Sequence, residues 1–442
     1  MQKSSEQINN NTVDVNPDSA IITKNPRWAP HFIYGRIPPI SVRHFSLLSF
    51  VALALLFENY DISLLASTLK YIAIDLQIDE TQLGNFSAWI RLGGLPVLLI
   101  VPFADLVGRR RLFLFSVVVI SIATFVTAFS FSVHMFVIAQ VVSRTFLLTA
   151  AALAVVIVTE EFPAEYRGWG LGALGAMAAF GHGLGALLFA AIDILPYGWR
   201  ALYAFGIVPL FLIPVLAVRI QETQRFTEQK TRRGSAVDVF ANWLLPLKHI
   251  AVNTPIRFAQ ILTLGFALSF GQGVVFAFVG YYVLMYLEWS PGGYSAMVII
   301  CGFIGIIGNV AAGRLADKLG RKPVGIAFLL VFPLTVFLFF RGPELLVAPA
   351  WIMMVFSTLG AQVIIRALSS ELFPTAYRGS ATGALTMSEA LGAGLGLLML
   401  SLFSVEPGDI LVYIPWLSCG VLGAALVMLF FPETAGIELE DI

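Results

Sequence analysis

Apolar runs of roughly 20 residues, separated by short polar connections, recur from residue 44 to residue 431. Coiled as helices that rise about 1.5 Å per residue, such runs are long enough to cross a hydrocarbon core about 30 Å thick. The pattern predicts twelve spans, over 44–69, 82–104, 112–131, 135–158, 168–192, 199–220, 256–286, 292–313, 324–340, 346–369, 380–404 and 410–431. A polar stretch over 1–43 reads as an N-terminal tail, a basic stretch over 221–255 as a central loop, and 432–442 as a C-terminal tail. The fold class is an all-α polytopic membrane protein, its spans grouped as two six-helix halves over 44–220 and 256–431.

Composition agrees, and charge adds an orientation. At 58% hydrophobic and 12% charged over 442 residues, the chain carries about half the charged fraction of a soluble protein. With the N-terminus inside, all but five of the 27 Lys and Arg fall in the tail, the even-to-odd connections or the helix ends beside them. Lys70, Arg200 and Arg341 lie outside, and Arg91 and Arg144 lie within spans. Basic residues concentrate on the cytoplasmic side, so both termini are expected there, in a plasma or bacterial inner membrane. The tail has no apolar segment near its start and does not read as a cleaved signal. Zero formal net charge gives no footing for nucleic acid. Cys301 and Cys419 sit in apolar spans and read as small buried hydrophobes. The sequence holds no ATP-binding loop, metal-ligand cluster or catalytic triad, so neither an enzyme nor a cofactor is expected.

The two halves repeat one another. At a constant offset of 211, RGWGLGALGAMAAFGHGLGALL from Arg167 aligns with RGSATGALTMSEALGAGLGLLM from Arg378, with five glycines in register. The same offset lays Glu160 on Glu371 and Glu222 on Glu433. At offset 212, Asp105 and Arg109 meet Asp317 and Arg321. Two such halves in parallel orientation are the build of a rocking transporter with its site between them. The Gly181/Gly185 and Gly392/Gly396 spacings suit close helix contact.

Several of these segments resemble the major facilitator superfamily. GRLADKLGRK, from Gly313 to Lys322, is similar to that family's G-x-L-A-D-x-x-G-R-[KR] signature, and ADLVGRRR is a first copy with Val101 in place of the opening glycine. PETAGIELE, EEFPAEYRG and ELFPTAYRG resemble segments of its sugar-porter and organic-ion branch. The resemblance implies a twelve-helix carrier that acts as a monomer in the bilayer. It also implies two charge clusters that close the cytoplasmic gate: Asp105, Arg109, Glu160, Arg167 and Glu222 in one half, with Asp317, Arg321, Glu371, Arg378 and Glu433 in the other. Ordinary charges of the positive-inside loops are the plainer alternative for these.

A second polar layer lies deeper. Counted along the helices, Glu58 and Asp61 sit on the order of 20–24 Å from the cytoplasmic end, Arg91 and Arg144 about 18–21 Å, and His182 and Gln272 about 21 Å. Glu389 lies somewhat nearer the cytoplasm. Ionisable groups at that depth face water or each other. Gln272 is the repeat mate of Asp61, so only one half keeps the acid. Glu58-Asn-Tyr-Asp61 resembles the acidic D-G-x-D segment of proton-linked metabolite symporters, with Glu for the first Asp and Asn for the Gly. A carboxylate whose proton affinity changes as an arginine approaches and leaves is suited to proton coupling. The expected pairs are Asp61 with Arg144 and Glu58 with Arg91, leaving Glu389 as a spare acid and His182 free to titrate. A static ion pair that fixes helix packing is the competing explanation.

The expected function is secondary active transport of a small organic solute by alternating access. Two midmembrane arginines favour a carboxylate or other organic anion, with protons as the coupling ion. In this reading Asp61, Glu58 and Glu389 serve proton coupling, and Arg144, Arg91, Gln272 and His182 bind substrate. The alternatives are a proton-linked or facilitative sugar or polyol transporter, an efflux antiporter, and a non-transporting solute receptor on a transporter fold.

Overall fold

A computed structural model of the chain describes residues 37–219, 222, 236–373 and 377–433. Ten of its helices are long and apolar enough to cross a membrane: Val42–Asp75, Glu80–Phe103, Arg109–Ala128, Val133–Glu161, Arg167–Phe189, Pro255–Met285, Arg321–Arg341, Glu344–Ser369, Gly379–Phe403 and Asp409–Met428. Two shorter apolar helices, Trp199–Pro214 and Pro291–Gly305, stand where spans 6 and 8 are expected. Helices answer the demand of the lipid interior that every backbone group be satisfied within the segment. Buried hydroxyls follow the same logic and bond back along their own helix, as Ser67 does to the Ser63 carbonyl and Thr68 to that of Leu64. Ser132 and Ser290 cap helix starts, accepting from the backbone N–H of Met135 and Gly293.

One sequence expectation is corrected. The stretch read as a central basic loop contains a helix, Ala236–Asn253. In the sequence Val237, Phe240 and Leu244 recur at helical spacing there, a signal masked by the basic residues just before it.

The packing repeats between the halves as the sequence does. Span 1 lies on span 5, span 3 on spans 4 and 6, and span 2 on span 4; span 7 lies on span 11, span 9 on spans 10 and 12, and span 8 on span 10. The first glycine of each GxxxG pair makes the closest approach. A Cβ on Gly181 would stand 2.0 Å from the Leu56 carbonyl oxygen, and one on Gly392 2.2 Å from that of Phe266. Gly185 and Gly396 meet spans 1 and 7 one turn further on.

Each half also caps its third helix from the end of its sixth. Glu222 accepts from the Arg110 N–H at 3.1 Å. Glu433 accepts from the N–H groups of Arg321 at 2.8 Å and Lys322 at 3.1 Å. A carboxylate at a helix N-terminus satisfies orphan donors and opposes the helix dipole. The turn into that helix needs Gly320, whose φ is +98° and whose added Cβ would lie 2.6 Å from Glu433 Oε2. Gly320→Ala should therefore cost about 1–3 kcal/mol in backbone strain and displace the cap. Gly313→Ala is the control: a Cβ there meets nothing within 4 Å, and alanine favours the helix by up to about 1 kcal/mol. Thermal melting of the purified protein should separate the two, and equal melting temperatures would show that the turn is not under this constraint.

Between spans 1–6 and spans 7–12, contacts gather at the end opposite the signature loops. Span 2 packs on span 11 where a Cβ on Gly84 would meet the Leu397 carbonyl at 2.7 Å. Span 1 meets span 7 where one on Gly280 would meet the Ala66 carbonyl at 2.3 Å. Phe189 and Tyr294 join spans 5 and 8, ring centroids 5.6 Å apart. Towards the signature loops the matched glycines Gly168 and Gly172, and Gly379 and Gly383, have nothing within 4 Å of where a Cβ would point. The spans of the two halves are thus closed on one another at one end and stand apart at the other, where the helix Ala236–Asn253 touches both halves.

Candidate functional site

Span 1 carries both acids of its FENYDISLL stretch into the interior, and Glu58 and Asp61 are each 4% exposed. Spans 3 and 4 supply what Asp61 needs. Thr124 Oγ1 donates to Asp61 Oδ1 at 3.2 Å, and Ser143 Oγ donates to Oδ2 at 3.1 Å. The two hydroxyls are themselves 3.2 Å apart. Gln140, one turn before Arg144, donates to Thr127 at 3.2 Å. Asp61, Gln140 and Arg144 line one cavity with Ser87 and Arg91 of span 2, all from the first half, and it reaches the seam with the second half at Ala277 of span 7. Its volume is about 30 Å³. A water needs roughly 10–15 Å³ on this measure, so in this state the cavity has room for water and is too small for a whole organic solute.

The expected ion pairs of this layer are not made. Among the described residues neither Glu58 nor Asp61 forms an ion pair with Arg91 or Arg144; the recorded pairs are Arg43–Glu161, Arg109–Glu160, Arg200–Asp75 and Arg366–Glu389. Hydroxyls satisfy Asp61 locally, which leaves the Arg144 guanidinium turned to the cavity. Glu58 Oε2 and Arg144 Nε are buried without hydrogen-bond partners. Arg144 is nevertheless near enough to act electrostatically on both acids. Glu389 is not spare: Arg366 of span 10 pairs with it at 3.3 Å. Arg366 stands near a helix end, where sequence counting assigns it to the positive-inside charges.

Gln272 belongs to a separate polar group in spans 7 and 10. It is buried, accepts from Gln362 at 3.4 Å and contacts Thr358 at 3.5 Å. Asp61 and its repeat mate thus both turn to the fourth helix of their own half. His182 has an exposed side chain within electrostatic reach of Arg91 and Arg144, and its carbonyl accepts from Ser63 at 3.0 Å.

At the signature loops, the described contacts run within each half. Arg109 pairs with Glu160 at 3.2 Å, and Arg167 Nε donates to the Phe162 carbonyl at 3.0 Å. Asp317 is exposed, and Glu222 and Glu433 are the caps described above. The side chains of Asp105, Glu371 and Arg378 lie outside the described residues. The residues that sequence reasoning missed are Thr124, Ser143 and Arg366. Ser143 and Thr124 stand at the depth of Asp61, but serines and threonines are common in spans and carry no charge to single them out.

A bundle of twelve membrane helices in two matching halves, with a charged cavity on the seam, defines a polytopic carrier. The sequence model of the Major Facilitator Superfamily matches residues 51–397 and 261–436, and the chain belongs to that family: it is a multi-pass membrane transporter and not an enzyme. It is 26% identical to the glucose transporter GlcP of Staphylococcus epidermidis over 436 residues, covering 88% of this chain and 94% of that one. It is 27% identical to the cis,cis-muconate transport protein of Acinetobacter baylyi over 410 residues, covering 86% and 93%. Among solved structures, the D-xylose-proton symporter superimposes with a TM-score of 0.72 at 22% identity, over 89% of this chain and 99% of that one.

Proposed function

We propose that this transporter carries a small organic carboxylate together with protons, by rocking two halves, about 44–220 and 256–431, around the seam cavity. The observation that carries this reading is that Arg91 and Arg144 line one cavity and neither is in an ion pair with an acid. A guanidinium turned into a low-dielectric cavity is a bidentate receiver for a carboxylate. Asp61 takes up and releases the coupling proton, with Glu58 as the second acid nearby. The exposed His182 lies on the route by which solute reaches the arginines from the parted end. That end faces the cytoplasm, as do both termini, on the strength of the basic residues gathered there, and the charge clusters at the signature loops meet when it closes. The relative named for cis,cis-muconate, a dicarboxylate, fits the anion reading, as do relatives named for niacin, such as the niacin transporter NiaP of Acinetobacter baylyi.

A neutral sugar is the second reading. It is favoured by the amide group of Gln272 and Gln362, by the glucose transporter relative and by the arabinose-proton symporter of Bacillus subtilis. Radiolabelled muconate, nicotinate, glucose and xylose, offered to proteoliposomes with and without a pH gradient, separate the two. Carboxylate uptake that rises with the gradient supports the first; sugar uptake with no carboxylate uptake replaces it with the second.

A further inference from the structure

Opposite the signature loops, one acid gathers hydrogen bonds from across the seam between the halves. Glu80 opens span 2, directly after the turn from span 1, and is half-buried. Its carboxylate takes donors from two elements of the other half. Tyr286 OH donates to Oε1 at 2.5 Å and Tyr281 OH to Oε2 at 3.4 Å, both from the end of span 7, and the Gly408 N–H donates to Oε1 at 3.0 Å from the connection between spans 11 and 12. Two neighbouring bonds also cross the seam: a neutral one from Ser401 Oγ to the Thr81 carbonyl at 2.8 Å, and a single charge-assisted one from Lys70 Nζ to the Leu284 carbonyl at 2.7 Å. Glu80 differs from them in bringing a carboxylate to three donors, and hydrogen bonds to a charged acceptor are roughly twice as strong as neutral ones.

A carrier that works by alternating access must part this end once in every cycle. All three Glu80 bonds cross from one half to the other, so none survives if span 2 parts from spans 7 and 11. We infer that Glu80 is the latch of this face: with Tyr281, Tyr286 and the Gly408 amide it sets the balance between the state seen here and the state open at the Glu80 end. Glu80 is a positioning residue. It lies outside the lining of the seam cavity, and it acts on the transport cycle only through the equilibrium between states. The inference stands on the family assignment and is independent of which solute is carried.

The expected signature is a population shift with direction. A reporter cysteine is introduced by Ala66→Cys, at a cavity-lining residue beneath the latch, in a chain whose native thiols are removed by Cys301→Ser and Cys419→Ser. A membrane-impermeant maleimide is then applied separately to each face. Each charge-assisted bond lost shifts an equilibrium about tenfold or more. Glu80→Ala should therefore raise labelling from the Glu80 face at least tenfold and lower it from the signature-loop face. Tyr286→Phe removes one bond from the opposite partner and leaves the 75–82 turn untouched, so it should give a smaller shift in the same sense. Glu80→Gln, which keeps an acceptor but loses the charge, should fall between wild type and Glu80→Ala. If Glu80 merely holds its own turn in place, Tyr286→Phe changes nothing, and Glu80→Ala either leaves labelling unchanged or raises it from both faces alike. Either of those results overturns the latch. Should Glu80→Ala fail to fold, the Tyr286→Phe and Glu80→Gln results decide the question.

Discussion

Asp61→Asn should abolish pH-driven accumulation of substrate while leaving substrate-for-substrate exchange intact. An asparagine is the permanent mimic of a protonated Asp61. A carrier that holds both substrate and its proton rocks between faces, so exchange continues. Accumulation also needs the empty carrier to return after releasing the proton, and an amide releases none. The surroundings of Asp61 make this a fair test. Its oxygens are held by Thr124 and Ser143, and Arg144 is not ion-paired to it. Had Asp61 been the fixed partner of a buried arginine, neutralising it would strand that charge at roughly 3–5 kcal/mol and damage folding. Here a hydroxyl needs only to rotate, donating to the new carbonyl on one side and accepting from the new amide on the other, at about 1 kcal/mol. Paired assays on one well-folded preparation read the outcome. Accumulation that persists would remove Asp61 from the coupling role and turn attention to Glu58, which is equally buried and lacks a partner on one oxygen. Loss of both activities together would mark Asp61 as structural.

How far the sequence carries depends on the kind of force involved. The twelve spans were legible because the hydrocarbon core imposes length and apolarity on every one of them. The repeat was legible because close helix contact at Gly181, Gly185, Gly392 and Gly396 admits no larger side chain, so the spacing is written in the glycines. The glutamates at 222 and 433 were visible as repeat mates, but what they do was not. Their capping of the third helix of each half depends on where the sixth helix ends in space. Glu58, Asp61 and Gln272 stood out in the sequence as polar groups deep within spans, because depth follows from counting residues, and all three are buried. The pairings at that depth were not legible, because partners at one depth are chosen by helix rotation. Asp61 turned to the hydroxyls of spans 3 and 4 where an arginine was expected, and Glu389 found Arg366. Glu80 gave no signal at all. An acid at a loop end is ordinary in sequence, and only the tyrosines brought up from span 7 make it a junction.

Arg144→Lys should weaken binding of a carboxylate substrate by about 30- to 100-fold, a loss of roughly 2–3 kcal/mol, as expected when a paired hydrogen bond between charged groups loses its geometry. Lysine keeps the positive charge, so the long-range attraction of the cavity for an anion remains. What it loses is the planar fork that meets both oxygens of a carboxylate together. Charge and geometry are thereby separated. Arg144→Gln, which removes the charge and keeps a planar amide, should cost more, since Glu58 and Asp61 would then meet the anion with less opposing charge. Stability should change little in Arg144→Lys, because Arg144 makes no ion pair in this state and its Nε has no hydrogen-bond partner to lose. The measurement is equilibrium binding of labelled substrate at fixed pH, alongside binding at a second pH to expose any change in proton affinity. A loss that is the same at both pH values belongs to substrate recognition; one that disappears at the lower pH belongs to the neighbouring acids. An Arg144→Lys protein that binds the carboxylate as tightly as wild type would take Arg144 out of the site. A sugar bound equally by both would place the solute instead on the amide side of the seam, against Gln272 and Gln362, where no guanidinium takes part.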